Sequence, residues 1–102
     1  MLKVRGIRDD GPDRMIARVG ADDAPAPREK LERLAAVANR LLVENRLAGG
    51  FRVAGEGEIA LEVPAAARHF LHDGIVFAAL DAVNDPVKNP TLTLLSEENP
   101  ER

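Results

Sequence analysis

Two segments near the start of the chain alternate between apolar and polar side chains. They are LKVRGIR at residues 2–8 and RMIARVG at residues 14–20, and the turn formers DDGPD separate them. A period of two is typical of strands with one buried face, so the pattern predicts a β-hairpin. A four-residue loop, Asp10 to Asp13, keeps like faces together in the sheet. The pairs predicted by that loop are Val4 with Val19, Arg5 with Arg18 and Ile7 with Ile16.

An amphipathic helix is predicted after the loop GADDAPAP at residues 20–27. Pro27 suits the first turn of this helix, because its missing amide proton has no helical partner there. Gly49 and Gly50 are predicted to end the helix, since glycine commonly follows a helix C-terminus. Apolar residues recur between these limits with a spacing of 3.6 residues. They are Leu31, Leu34, Ala35, Ala38, Leu41 and Leu42.

A second hairpin and a second helix follow. In residues 51–63 a three-residue glycine loop at 55–57 predicts two closely matched strands. The predicted pairs are Val53 with Ile59 and Phe51 with Leu61, and the outward residues are Arg52, Glu58 and Glu62. The spacing of apolar residues then predicts one continuous helix over 65–83, opened by Pro64, in which Gly74 costs about 1 kcal/mol.

An alternative interpretation makes IVFAAL, residues 75–80, a short buried strand, because periodicity alone does not distinguish a brief apolar strand from a buried helix. After the prolines of NDPVKNP, the segment TLTLL at 91–95 predicts a last strand. The predicted fold is therefore α+β, with the order ββαββαβ. Its simplest arrangement has two layers, a mostly antiparallel sheet with both helices packed on one face.

The length of 102 residues allows one domain with one modest core. We assign residues 1–95 to this domain and residues 96–102 to a flexible C-terminal tail. The absence of cysteine excludes disulfides, thiolate metal sites and a cysteine nucleophile. The first residues alternate, so we predict no signal peptide, and no segment reaches the ~18 apolar residues of a membrane helix. We therefore expect a cytoplasmic protein.

His69, His72 and Asp73 are the candidates for chemistry. Positions i and i+3 share a side of a helix, so two imidazoles there could hold a metal or transfer a proton, with a carboxylate to fix a tautomer. Two histidines are too few for a closed zinc site, and the same pattern is typical of the solvated edge of a half-buried helix. We predict no metal site and no cofactor, and a small hydrolase or metal-dependent enzyme is the third-ranked function.

Residues 71–84, LHDGIVFAALDAVN, resemble the stretch of hotdog-fold acyl-CoA thioesterases in which a histidine and glycines open the central helix. The resemblance implies a helix that packs within a sheet. The chain departs from the family pattern at Asp73, where the family has glycine. Only 18 residues follow Asn84, whereas the hotdog fold needs several more strands after its helix. We therefore do not assign the family.

A basic ribbon is predicted on the first hairpin, where Lys3, Arg5, Arg14 and Arg18 share one face. Two-stranded ribbons of this kind enter DNA grooves and neutralise phosphates. The formal charge of −3 weighs against nucleic acid, as does the lack of an aromatic stacking platform. The charge is uneven, because residues 1–51 carry 10 Lys and Arg against 8 Asp and Glu, whereas residues 52–102 carry 4 against 9. A nucleic-acid-associated protein is the second-ranked function.

The second helix has more apolar residues than one face can hold, because Val76, Leu80 and Val83 lie apart from the stripe around Ile75. A helix that is apolar on two sides is buried on both. The second cover is either another subunit or the remaining elements of the same chain. The first-ranked function is a small non-catalytic interaction, assembly or regulatory protein. Its predicted partner interface is Val76, Leu80 and Val83, and its predicted partner is another protein or a second copy in a homodimer.

Overall fold

An antiparallel sheet and two helices form the fold, seen in a computed structural model that describes residues 1–21, 23–68 and 71–85. The strands are β1 (Lys3–Asp9), β2 (Arg14–Ala21), β3 (Ala24–Pro25), β4 (Gly50–Val53) and β5 (Glu58–Glu62). The helices are α1 (Arg28–Glu44) and α2 (Leu71–Asn84). The predicted α+β class is confirmed. The predicted strand at 91–95 and the predicted tail at 96–102 lie outside the described residues.

The sheet has the order β1-β2-β5-β4, and the short β3 pairs with the end of β2. Each of these pairs is antiparallel. The predicted register of the second hairpin is confirmed, because Phe51 pairs with Leu61 and Val53 with Ile59. Its turn needs glycine at Gly57, where φ is +69° and a Cβ would lie 2.6 Å from the Pro25 side chain.

The first hairpin begins in the predicted register and then departs from it. Val4 pairs with Val19, but a β-bulge follows, so that Gly6 lies opposite Arg18 and Arg5 is the extra residue. A Cβ at Gly6 would have the Arg18 Nε as its nearest neighbour, at 4.0 Å.

The bulge shifts every later pair of this hairpin by one residue. Ile7 lies opposite Ala17 and Arg8 lies opposite Ile16. The predicted pairs of Arg5 with Arg18 and of Ile7 with Ile16 are therefore wrong. Because a shift of one residue reverses the face, Ile7 moves to the helix side of the sheet and Arg8 takes its place on the other side.

Helix α1 buries the six apolar residues that its spacing predicts. It ends at Glu44, however, and not at the two glycines. Arg46 adopts the left-handed conformation that follows the helix, with φ 57°. The Leu47 amide donates to the Leu42 carbonyl at 2.9 Å, which satisfies an end carbonyl as in a Schellman motif. Gly49 instead allows the chain before β4 to lie close to β5, because a Cβ there would lie 3.0 Å from the Glu62 carbonyl oxygen.

The predicted continuous helix over 65–83 is interrupted. A 3-10 turn covers Ala65–Ala67, Arg68 is extended with ψ 133°, and α2 starts at Leu71. The break turns the chain from the end of β5 into the helix layer, and Arg68 forms an ion pair with Asp9 at 3.4 Å. The alternative of a strand at 75–80 is wrong, because these residues lie within α2.

The two helices run antiparallel on one face of the sheet. His72, near the start of α2, contacts the Ala48 carbonyl beyond the end of α1. Val83, near the end of α2, lies beside Pro27 and Lys30 at the start of α1. The core fills the space between this helix pair and β2, β4 and β5.

Val76, Leu80 and Val83, the predicted partner interface, belong to this core. Val76 is 0% exposed and the other two are almost as well covered. They contribute to the same cluster as Leu34 and Leu41 of α1, so the chain itself supplies the second cover of the helix. These three side chains are therefore not available to a partner on the folded protomer.

Each helix places an asparagine against an edge of the sheet. Asn39 of α1 accepts from the Phe51 amide at 2.7 Å and donates to the Phe51 carbonyl at 3.0 Å, on β4. Asn84 of α2 makes the same two bonds with Leu2, just before β1, both at 2.9 Å. A side-chain amide thus satisfies main-chain groups that an edge leaves open. Neither of the described helices is long and apolar enough to span a bilayer.

Candidate functional site

The face of the sheet that the helices leave uncovered carries most of the strand charges. Alternation along the paired strands assigns five cationic residues to it, and Arg5, the extra residue of the bulge, is the sixth on this side. They are Lys3, Arg5, Arg8, Arg14, Arg18 and Arg52. Two acidic residues, Glu58 and Glu62, share the surface, which we call the arginine face. A locally cationic surface therefore lies on a chain with a formal charge of −3.

The structure brings together the four predicted ribbon residues on this face and adds two that the prediction missed. Arg8 joins because the bulge moves it there, and Gly6 is the single sequence signal for that irregularity. Arg52 joins because the second hairpin packs beside the first, through β5 and β2. The sequence predicts that Arg52 faces outward, but it does not predict which hairpin edges meet.

An ion pair crosses the middle of the arginine face. The Arg8 guanidinium lies 3.3 Å from Glu58, although β2 separates their two strands. Neighbouring strands lie about 4.8 Å apart, so the two side chains must extend across β2 to meet. Ile16, opposite Arg8 on β2, is 2% exposed although neither α1 nor α2 covers this side. The long arginine stem is suited to covering apolar surface while its charged end stays in water.

Glu62 is shared by two arginines. Arg52 lies 2.7 Å from its carboxylate, and the Arg14 Nε lies 3.9 Å away. Another nitrogen of Arg14 contacts Asp10 at 3.3 Å. The Arg14 Nε is buried without a hydrogen-bond partner in the described part of the chain. This end of the arginine face therefore contains a buried donor that neither the Glu62 nor the Asp10 carboxylate satisfies.

The other end of the arginine face borders a cleft of about 360 Å³, with Arg5 and Arg18 on one side. Arg18 lies opposite Glu58 in the sheet, but Glu58 pairs with Arg8. Within the described ranges no ion pair involves Arg18. Planar guanidinium groups bind carboxylates or phosphates with two parallel hydrogen bonds, so Arg18 is suited to an acidic group, although Asp23 and Glu56 also line the cleft.

The histidine segment does not form a catalytic arrangement in the described residues. His69 lies outside them. His72 is 0% exposed, and its Nε2 lies 2.8 Å from the Ala48 carbonyl oxygen. Since a carbonyl oxygen can only accept, Nε2 carries the proton. Asp73, the next residue of the helix, is exposed. Among residues 1–21, 23–68 and 71–85, no group of three His, Cys, Asp or Glu side chains could hold a metal ion.

Comparisons with protein-family models, with curated proteins and with solved structures give no significant match.

Proposed function

We propose that this protein is a small non-catalytic interaction protein that binds a partner with an acidic surface through the arginine face. One observation carries the proposal. Six cationic side chains and two carboxylates lie on the side of the sheet that α1 and α2 leave uncovered, although the formal charge of the chain is −3. Such segregation leaves a positive surface beside a negative remainder. Complementary charge of this kind accelerates association and selects partners.

The arginine type supports a protein partner. Arginine is enriched at protein interfaces, and its planar fork fits carboxylates with less side-chain freedom lost per hydrogen bond than lysine. Glu58 and Glu62 lie between the arginines and hold Arg8 and Arg52 in place. A partner surface of acidic and neutral groups can match this pattern. The proposal keeps the predicted interaction class and places the contact on the sheet instead of α2.

A nucleic-acid-associated protein is the second candidate, favoured by the arginines on the β1–β2 ribbon. Against it, Glu58 and Glu62 would repel a phosphate backbone that follows the face. No aromatic residue of the described strands lies on the arginine face, since Phe51 of β4 belongs to the core. Stacking on aromatic rings is the usual source of affinity for single strands. The acidic protein partner therefore ranks first.

Fluorescence anisotropy separates the two candidates. Labelled polyglutamate and single-stranded DNA and RNA of matched length are titrated with the protein at low salt and at high salt. We expect polyglutamate to bind at low salt and to bind more tightly than either nucleic acid. Tighter binding of DNA or RNA would replace the first candidate by the second. No binding of polyglutamate at low salt would remove the proposal.

Matched variants locate the contact. The double change Arg8→Glu with Arg18→Glu reverses two charges on the arginine face, and we expect it to weaken polyglutamate binding by about tenfold or more. Arg33→Glu with Arg40→Glu reverses two exposed charges on α1 and is the control. An equal loss of binding in both variants would show that net charge, and not the arginine face, attracts the acid.

A further inference from the structure

The two edges of the sheet differ in how their main-chain groups are satisfied. On β4, both outward groups of Phe51 bind Asn39. In an antiparallel sheet, main-chain groups alternate between the two neighbours of a strand. If this alternation is followed through the paired residues from Phe51 to β1, the main-chain groups of β1 that point away from β2 are those of Val4, Ile7 and Asp9. None of these has a hydrogen-bond partner in the described part of the chain. We call these groups the open edge.

The same counting agrees with bonds elsewhere in the sheet. The Asp10 amide donates to the Arg14 carbonyl at 2.9 Å, so the main-chain groups of the even-numbered β2 residues point toward β1. The Val19 amide donates to the Gly57 carbonyl at 2.7 Å, so the odd-numbered residues face away from β1. Leu2, the position before Val4 on the same edge, is bound by Asn84. The open edge therefore starts where the asparagine contact ends.

The two sides of β1 have different chemistry. Toward the arginine face it presents Lys3, Arg5 and Arg8. Toward the helix layer it presents Val4, which packs against the core, and Ile7, which is 38% exposed because neither helix reaches it. Most edge strands are protected against pairing with another chain by a covering helix or loop, or by inward-pointing charged side chains. Here the cationic side chains lie on one side, and on the other side an accessible apolar residue precedes Asp9, which lies opposite Met15 and forms the ion pair with Arg68.

We propose that β1 accepts an extended segment of a partner protein as an additional strand. On one side of that segment, acidic residues lie beside the cationic side chains of β1, and on the other side apolar residues lie beside Val4 and Ile7. The partner segment therefore alternates acidic and apolar residues. This inference rests on the proposed function and names how the acidic partner binds. Main-chain hydrogen bonds give such complexes affinity, and alternate side chains give them specificity.

A second copy of β1 does not have this chemistry. Two β1 strands paired with each other would bring Lys3, Arg5 and Arg8 next to like charges, which destabilises directly opposed positions. An acidic partner replaces that repulsion by attraction. The charge pattern therefore selects a different segment over self-pairing.

The test compares two short peptides with the same composition. In one, glutamate and valine alternate, and in the other, the glutamates and the valines form separate blocks. We expect the full chain to bind the alternating peptide about tenfold more tightly than the block peptide, because only the first can place acids and valines on opposite sides of a strand. Isothermal calorimetry measures both affinities, and light scattering reports the mass of the free protein.

Three variants accompany the peptides. Ile7→Pro removes an outward amide without touching the β1–β2 ladder, as proline is tolerated on edge strands, and should weaken binding by about fivefold or more. Arg8→Glu should weaken it by about tenfold. Arg33→Glu on α1 is the matched charge control and should change it less than about twofold. Circular dichroism checks the fold of each variant, and Arg8→Glu keeps the test decisive if Ile7→Pro fails to fold.

The outcomes separate the two proposals. Equal affinity for both peptides, with loss in Arg8→Glu but not in Ile7→Pro, would overturn strand addition and leave the acidic partner standing. A lack of binding by either peptide at low salt, together with a negative polyglutamate titration, would overturn both. A wild-type dimer that Ile7→Pro dissociates, without peptide binding, would identify a second copy as the occupant and overturn the inference.

Discussion

Arg46 occupies a backbone conformation that disfavours residues with a Cβ. Its φ of 57° lies in the left-handed region, where an L-residue pays roughly 1 kcal/mol or more relative to glycine. We predict that Arg46→Gly raises the free energy of unfolding by roughly 0.5–1 kcal/mol, measured by urea denaturation. Arg46→Ala keeps the strain and is the control. A gain with alanine equal to that with glycine would assign the effect to the arginine side chain and contradict the prediction.

His72 has a structural role in the folded protomer. It is fully buried and its ring donates to the Ala48 carbonyl, in the connection between α1 and β4. We predict that His72→Leu lowers the free energy of unfolding by about 0.5–1.5 kcal/mol, because it removes the hydrogen bond to the Ala48 carbonyl. The neighbouring Asp73→Ala removes an exposed side chain and should change stability by less than about 0.5 kcal/mol. Equal stability losses in the two variants would contradict this assignment.

At the scale of elements, two adjacent positions of α2 should differ in how well they tolerate a charged side chain. Val76 is buried in the core, whereas Phe77, one residue further, is 53% exposed. We predict that Val76→Glu unfolds the protein or costs more than about 3 kcal/mol, because it places an unpaired carboxylate in the core. Phe77→Glu should leave the fold intact and cost less than about 1 kcal/mol. Thermal denaturation monitored by circular dichroism compares them, and a stable, folded Val76→Glu protein of reduced mass would restore the predicted interface.

The elements differ in how well their sequence patterns predict them, for local reasons. The β4–β5 register follows from alternation and a glycine turn, and both signals lie within the hairpin. The β1–β2 register holds only as far as Val4, because a bulge leaves no mark in the sequence beyond Gly6. The end of α1 is mispredicted because Arg46 takes the position that glycine usually takes, while Gly49 is needed for a close approach to β5.

At the scale of the whole molecule, the candidate site depends on contacts that no local pattern encodes. The ribbon residues of the first hairpin are predictable from alternation. Their combination with Arg52 and the two glutamates requires β5 to lie beside β2. The burial of Val76 likewise requires α1 to cover α2. The sequence predicts which face of each element is apolar and which is polar, but not which faces meet. The arginine face and the burial of the predicted partner interface both depend on how the elements pack.

The whole sheet also predicts an uneven pattern of hydrogen exchange. Amides of β1 that face β2, such as that of Arg8, should exchange slowly, whereas the outward amide of Ile7 should exchange fast. On the opposite edge the outward amide of Phe51 should be protected, because Asn39 accepts from it. Amide exchange followed by NMR measures all three, and Asn39→Ala should release the amide of Phe51 alone. If the amide of Ile7 were as protected as that of Arg8 in the free protein, the edge of β1 would be covered in solution and closed to a partner strand.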